Sequence, residues 1–295
     1  MTRRGWLLFG GLALIWGIPY LLIRVAVREI PPALLVFGRT AIGAALLSPA
    51  LLRRGRLPAL RARWRPVLAF AAVEVAIPWL LLSDAERKLS SSAAGLLVAL
   101  VPLVGALLAR ISGSRQRPIG WQGLGGLILG LCGVAALVGL DVSVRAGWAL
   151  AEMALVVVGY AAGPIIVARS LAGLPALEVV AGSLGLAALA YAPALVLALP
   201  AHAPSAAALG AVAVLGVLCT GAAFVIFFQL IAEVGPLRAT VVTYLNPAVA
   251  MAAGVGLLGE PMTTGMALGF ALILVGSWLA TRASPVSHAG EGRSV

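Results

Sequence analysis

The chain has 295 residues, of which 62% are hydrophobic and only 11% charged, with a formal net charge of +11. Soluble domains run at about 45–50% apolar and about 25% charged residues, so this composition excludes a water-facing surface over most of the molecule and names lipid as the solvent. The positive charge falls in short clusters between apolar stretches rather than along one face. That pattern speaks against nucleic acid as a partner and for a protein oriented in a bilayer by its arginines.

In chain order, the apolar stretches predict ten transmembrane helices of roughly 20 residues each. The first, Trp6–Val27, follows Arg3 and Arg4 and carries no small-x-small cleavage site, so it reads as an uncleaved span. The next four are Ala33–Leu52, Pro66–Leu82, Ser91–Ala109 and Ile119–Leu140. The remaining five are Gly147–Ala168, Ala176–Leu199, Ser205–Ile231, Leu237–Leu258 and Thr264–Thr281. With the N-terminus inside, the inner side collects Arg3, Arg4, Arg53, Arg54, Arg56, Arg61, Arg63, Arg65, Arg110, Arg115, Arg117, Arg169, Arg282 and Arg293. The outer loops hold far fewer, among them Arg28, Arg87, Lys88 and Arg145. This positive-inside bias places both termini in the cytoplasm, as an even number of spans requires.

Sliding the sequence on itself by 145 positions superposes Pro19 on Pro164, Arg24 on Arg169, Ala94 on Ala239 and Pro102 on Pro247. Leu127-Ile128-Leu129 falls on Leu272-Ile273-Leu274 without a gap. The domains expected are therefore 6–140, a first five-helix repeat; 147–281, a second; and 282–295, a cytoplasmic tail. Five spans per repeat is an odd number, so the second repeat enters the membrane upside down. The fold class is all-α, a polytopic membrane protein of ten transmembrane helices in two inverted five-helix repeats, the usual frame for alternating access.

Polar groups inside spans are costly and mark function or paired structure. Arg39 lies about 10 Å from the outer end of its span and Glu74 about 12 Å from the inner end of the next, at about 1.5 Å per residue. A pair between them, direct or through water, is compatible with those depths. Gln229 and Asn246 are also within spans, and Trp16, Tyr20, Trp79, Tyr160 and Tyr244 are aromatics set deep enough to line a cavity. Trp6, Trp64, Trp121 and Trp148 fall near span starts, where an interfacial belt is their default role. Glu152 and Glu178, near span ends, read as interfacial. Pro19, Pro78, Pro102, Pro164 and Pro247 interrupt backbone bonding in their own spans and are candidate hinges. Cys132 and Cys219 read as packing residues, and His202 and His288 lie outside the spans, so neither a metal centre nor a cofactor is expected. Gly123-Leu124-Gly125-Gly126 lacks the Lys-Ser/Thr ending of a phosphate loop, which argues against an ATP-driven pump in this chain.

The ordered motifs resemble the EamA family of the drug/metabolite transporter superfamily. They are Leu14-Ile15-Trp16-Gly17, then Ala93-Ala94 through Leu100-Val101-Pro102 to Ala109 in the first half. The second half carries Tyr244-Leu245-Asn246-Pro247-Ala248, Leu258-Gly259-Glu260 and Leu272-Ile273-Leu274-Val275-Gly276. The resemblance covers about Trp6 to Thr281 and implies a central cavity, alternating access, and export or exchange of small metabolites such as amino acids or amines. Two departures stand out: Arg110-Ile111-Ser112-Gly113-Ser114 lacks the glutamate that often follows the fourth span, and Arg24 replaces a lysine frequent late in the first.

The expectation is a secondary transporter, not an enzyme and without catalytic residues, in a bacterial inner membrane. Its partners are a small-molecule substrate, the lipid bilayer and, if transport is coupled, protons, with Glu74 as the coupling group. Trp16, Tyr20, Arg39, Glu74, Trp79, Tyr160, Gln229, Tyr244 and Asn246 are the cavity residues expected. Rival readings are a membrane-embedded enzyme or lipid-processing protein, for which Asp84, Glu86 and Asp141 are sparse, and a non-transporting receptor or partner subunit.

Overall fold

The computed structural model describes residues 2–53, 57–111, 121–141, 147–234 and 239–281. The tail 282–295 lies outside them, as do Arg54, Arg56, Arg115, Arg117, Arg145, Arg282, Arg293 and His288. Every regular element among the described residues is helical. Seven helical stretches are long and apolar enough to cross a membrane: α1 (Arg3–Ala26), α2 (Pro32–Pro49), α3 (Trp64–Ala85), α4 (Ser91–Leu108), α6 (Gly147–Ser170), α7 (Ala176–Leu197) and α8 (Ala206–Val234). Three shorter apolar helices join them: α5 (Gly123–Ala136), α9 (Val242–Leu258) and α10 (Thr264–Leu279). Large apolar side chains such as Leu14, Ile128, Leu131, Leu155, Leu189 and Leu257 stand exposed on the outside, as lipid-facing surfaces require.

Several helices are broken locally, and proline chemistry accounts for most of the breaks. A proline has no N–H to give the carbonyl four residues back, and its ring collides with that carbonyl. In α1 the helix lapses at Ile18, directly before Pro19. In α4 a turn at Ala99–Leu100 precedes Pro102, and at the start of α9 a 3₁₀ turn, Thr240–Tyr244, lies just ahead of Pro247. In α3 a π-turn, Ala71–Ala76, precedes Pro78. Pro164 sits inside an uninterrupted helix.

Packing follows one pattern. α1 packs on α8 and α9; α6 packs on α3 and α4; α2 packs on α8, and α7 on the π-turn of α3. The other contacts include α2 with α7, α4 with α9, α5 with α10 and α4 with α10. Exchanging the first five helices for the last five, in order, maps these contacts onto one another except for that of α4 with α10. Small residues let the backbones approach: a Cβ at Gly276 would fall 2.6 Å from the Gly126 carbonyl oxygen and 2.6 Å from the Gly130 nitrogen.

Polar contacts between loops sort into two ends. At one end the Thr2 hydroxyl donates to Glu233, and Arg63 donates to the carbonyls of Ser170 (3.2 Å) and Ala172 (2.9 Å). At the other, Arg24 donates to the Glu86 carbonyl, Ser205 donates to Glu29, and Ser91 and Ser92 donate to Glu260. Glu152 neighbours Asp84, Lys88 and Trp148 at that same end. Glu152 and Glu178, read as interfacial from their places near span ends, are instead buried in protein at 4% and 0% exposure, because those helix ends are covered by neighbours.

Candidate functional site

The site begins with the backbone of α3. Pro78 cannot bond the Glu74 carbonyl, and the chain widens into the Ala71–Ala76 π-turn, in which Ile77 N–H reaches Ala72 O. Glu74 is carried on this turn. Its Oε2 is buried without a hydrogen-bond partner, against Gly163 of α6, where any Cβ would collide with the carboxylate. Tyr191 of α7 ties the end of the turn, donating to the Ala76 carbonyl at 3.0 Å.

α8 holds a second π-turn, Val217–Ala222, with no proline to cause it. Here the Thr220 hydroxyl donates to the Leu215 carbonyl at 2.8 Å. The same oxygen accepts from Arg39 Nε at 2.9 Å. Thr220 is fully buried and Arg39 is 7% exposed. The guanidinium lies over the Trp79 ring, 3.6 Å from its centroid, well inside the roughly 6 Å range of a cation–π contact. Thus Arg39 is held by a hydroxyl and an indole face, and no pair with Glu74 is formed through Oε2.

Tyr20, Tyr160, Cys219 and Glu86 lie within electrostatic reach of Arg39, and Glu74 within reach of Tyr160. Trp79 also neighbours the Tyr160 hydroxyl. Tyr160 packs against both large apolar clusters, one built around α1, α4 and α6 and one around α2, α3 and α7. The structure therefore brings Tyr20, Arg39, Glu74, Trp79 and Tyr160 into one polar centre. Trp16 stands apart on an aromatic shelf, its ring 4.8 Å from Phe227 and 6.1 Å from Phe224. Asn246 Oδ1 is buried without a partner where the 3₁₀ turn of α9 gives way to α-helix, and Tyr244 OH donates to Ser277 O at 3.4 Å. Gln229 is exposed on α8. Among the described residues, no three of His, Cys, Asp and Glu come together as a metal site would need.

Three participants were not singled out from sequence. Thr220 looks like any small polar residue in an apolar span. Glu260 was seen as a motif residue, but its partners were not: it accepts from Ser91 N (2.8 Å), Ser91 Oγ (2.9 Å), Ser92 N (3.0 Å) and Ser92 Oγ (2.6 Å) at the N-terminus of α4. Gly259, at φ 65°, turns the chain so that Glu260 can do this. Burial pushes the Glu260 carboxyl up, but the bonds from Ser92 and Ser91 outweigh it and hold the group below the usual range. Glu86, which directly follows α3, is fully buried with neither carboxylate oxygen hydrogen-bonded.

The sequence profile of the EamA-like transporter family matches residues 3–139 and again 147–282. The chain belongs to that family. As an EamA-like protein it is a multi-pass membrane transporter, in keeping with its apolar helices. It is 31% identical over 288 residues to the "Uncharacterized inner membrane transporter YedA" of Escherichia coli K12, covering 91% of this chain and 90% of that one. The YedA proteins of E. coli O6:H1 and O157:H7 match to the same extent. A crystal structure of a protein 23% identical superposes with a TM-score of 0.66 over 95% of this chain and 98% of the other, a likeness of fold alone.

Proposed function

We propose that this EamA-like protein is a secondary transporter that moves a small metabolite, an amino acid, amine or related solute, by export or exchange through alternating access. In this reading ten helices cross the inner membrane of a bacterium as two inverted five-helix repeats, 6–140 and 147–281, with both termini cytoplasmic. Support for the inversion comes from the two ends of the molecule. α1 begins beside Glu233 at one end, whereas α6 begins beside Asp84 and Lys88 at the other. The self-mapping helix contacts support the pairing of the repeats.

The observation that carries the transport reading is the buried guanidinium of Arg39, held by Thr220 and Trp79 where helices of both halves meet. A charge kept away from lipid by a neutral hydroxyl and an indole face retains donor capacity for an anionic group of a solute. Glu74, on the neighbouring π-turn with a free oxygen, is the coupling carboxylate of this mechanism.

The test is solute movement in proteoliposomes against a panel of amino acids and amines, with and without an imposed pH gradient. Gradient-driven movement in the wild type that becomes gradient-independent in Glu74→Gln is the expected result. Wild-type movement that ignores the gradient would reassign the protein as a facilitator or exchanger. No movement of any panel member would remove this reading.

A further inference from the structure

Glu86 is the one fully buried carboxylate in the described residues whose two oxygens both lack a hydrogen-bond partner. An ionised carboxylate so placed costs several kcal/mol, whereas a protonated one is tolerated. Arg24 of α1 offsets this only in part, since it directs its guanidinium N–H to the main-chain carbonyl of Glu86 and not to its carboxylate. The other titratable groups facing it are Tyr20 of α1, Arg39 of α2, Tyr160 of α6 and Glu260 of the α9–α10 turn. Its own loop adds Asp84, paired with Arg87 at 3.2 Å, and Lys88.

A contact between the two halves of the chain lies within electrostatic reach of this carboxylate. Glu86 precedes α4 by a short loop, and the N-terminus of α4 is clamped by the four bonds to Glu260. A second carboxylate clamp at the same end joins Glu29 to Ser205 at the start of α8, with Ser205 N–H at 2.5 Å and Oγ at 2.8 Å. Both clamps connect the first half of the chain to the second. Opening this end therefore means breaking Glu260 from Ser91 and Ser92, a few residues along the chain from Glu86.

We propose that Glu86 is a proton-binding site at the Glu260 end of the molecule, taking a proton when the Glu260–Ser91/Ser92 contact closes and returning it to water when the contact opens. In the release step the carboxyl O–H bond breaks, water takes the proton, and the carboxylate that remains is solvated; closure reverses each event. Burial pushes the Glu86 carboxyl well above the ordinary range; Arg24 opposes that, Glu260 adds to it, and Arg39 opposes it. The site rests on the transporter reading, since it supplies that cycle with an external proton step. It differs from Glu74, which lies at the polar centre.

The experiment is an infrared pH titration of the purified full-length protein in lipid nanodiscs, with no solute present. The wild type is expected to show a protonated-carboxyl stretch that persists above the ordinary carboxylate range. That band is lost in Glu86→Gln and kept in Glu74→Gln. Glu86→Asp, which guards against a misfolded Gln variant, is expected to move the band rather than leave it in place. Ser91→Ala/Ser92→Ala leaves the charge of Glu260 intact, removes the two hydroxyl bonds and keeps the two main-chain ones, so it weakens the clamp, and it is expected to lower the band's midpoint by about one pH unit, a tenfold loss of proton affinity. A band unaltered in Glu86→Gln and Glu86→Asp, or a midpoint unmoved by the serine changes, overturns the proposal. Because the titration needs no transported solute, a wild type that binds the proton yet moves nothing in proteoliposomes refutes the transporter reading and leaves the proton site standing.

Discussion

At Thr220 one hydroxyl does two jobs: it donates to Leu215 O and accepts from Arg39 Nε. Replacing it by valine keeps the shape, removes both bonds and leaves a buried guanidinium N–H without its acceptor. Stranded buried donors cost about 1–3 kcal/mol. Thr220→Val is therefore expected to lower the unfolding temperature of the detergent-solubilised protein by several degrees, whereas Thr220→Ser stays near wild type; an unchanged Thr220→Val would show that Arg39 does not depend on this contact. The sequence made Arg39, Glu74 and Trp79 visible, because charge and indole are conspicuous in an apolar span. Thr220 was hidden, since a threonine costs little in a membrane helix and its role depends on a backbone bond that only the π-turn creates. Glu86 was hidden for the opposite reason: its neighbours make it look like a solvated loop residue, and only the fold buries it.

Among the helices, α5 and α10 are joined by glycine contact rather than by large side chains. The Cβ of an alanine at 276 meets main-chain atoms, which cannot rotate aside, so Gly276→Ala is expected to destabilise by about 1–3 kcal/mol. Gly125→Ala, where nothing lies within 4 Å, is the control and is expected to leave thermal stability unchanged. Equal melting of the two variants would mean that this pair of helices is not held at its backbone. Most helical stretches were legible as unbroken apolar runs, and prolines located four of the breaks within or beside them. The burial of Glu152 and Glu178 was not legible, because position along a helix says nothing about which neighbour covers its end.

Over the whole molecule, the clamps at the Glu260 end carry a pH dependence of definite sign. The Glu260 carboxyl is held lower in the folded protein than in the unfolded chain. Its contribution is therefore fully present above the ordinary glutamate value of about 4.3 and is lost as pH falls through the lowered one. The difference in unfolding temperature between wild type and Glu260→Gln is expected to hold steady from about pH 6 to 8 and to vanish in strong acid. A difference that instead faded on the alkaline side would contradict this assignment. The repeat was legible from paired prolines and arginines at a constant offset; the clamps were not, since each joins residues more than 160 positions apart.

The two π-turns begin at Ala71 and Val217, 146 positions apart, one residue beyond the 145-position offset of the repeat, which sets Glu74 opposite Cys219. A π-turn holds one residue more than the α-helical path, and deleting that residue would swing everything beyond it by about 100°. Because both repeats carry the surplus at nearly the same place, the two helices are re-aimed about their own axes by the same angle. Its supports differ, a proline downstream in one copy and a threonine hydroxyl in the other, so one shared irregularity is held by two unrelated chemistries.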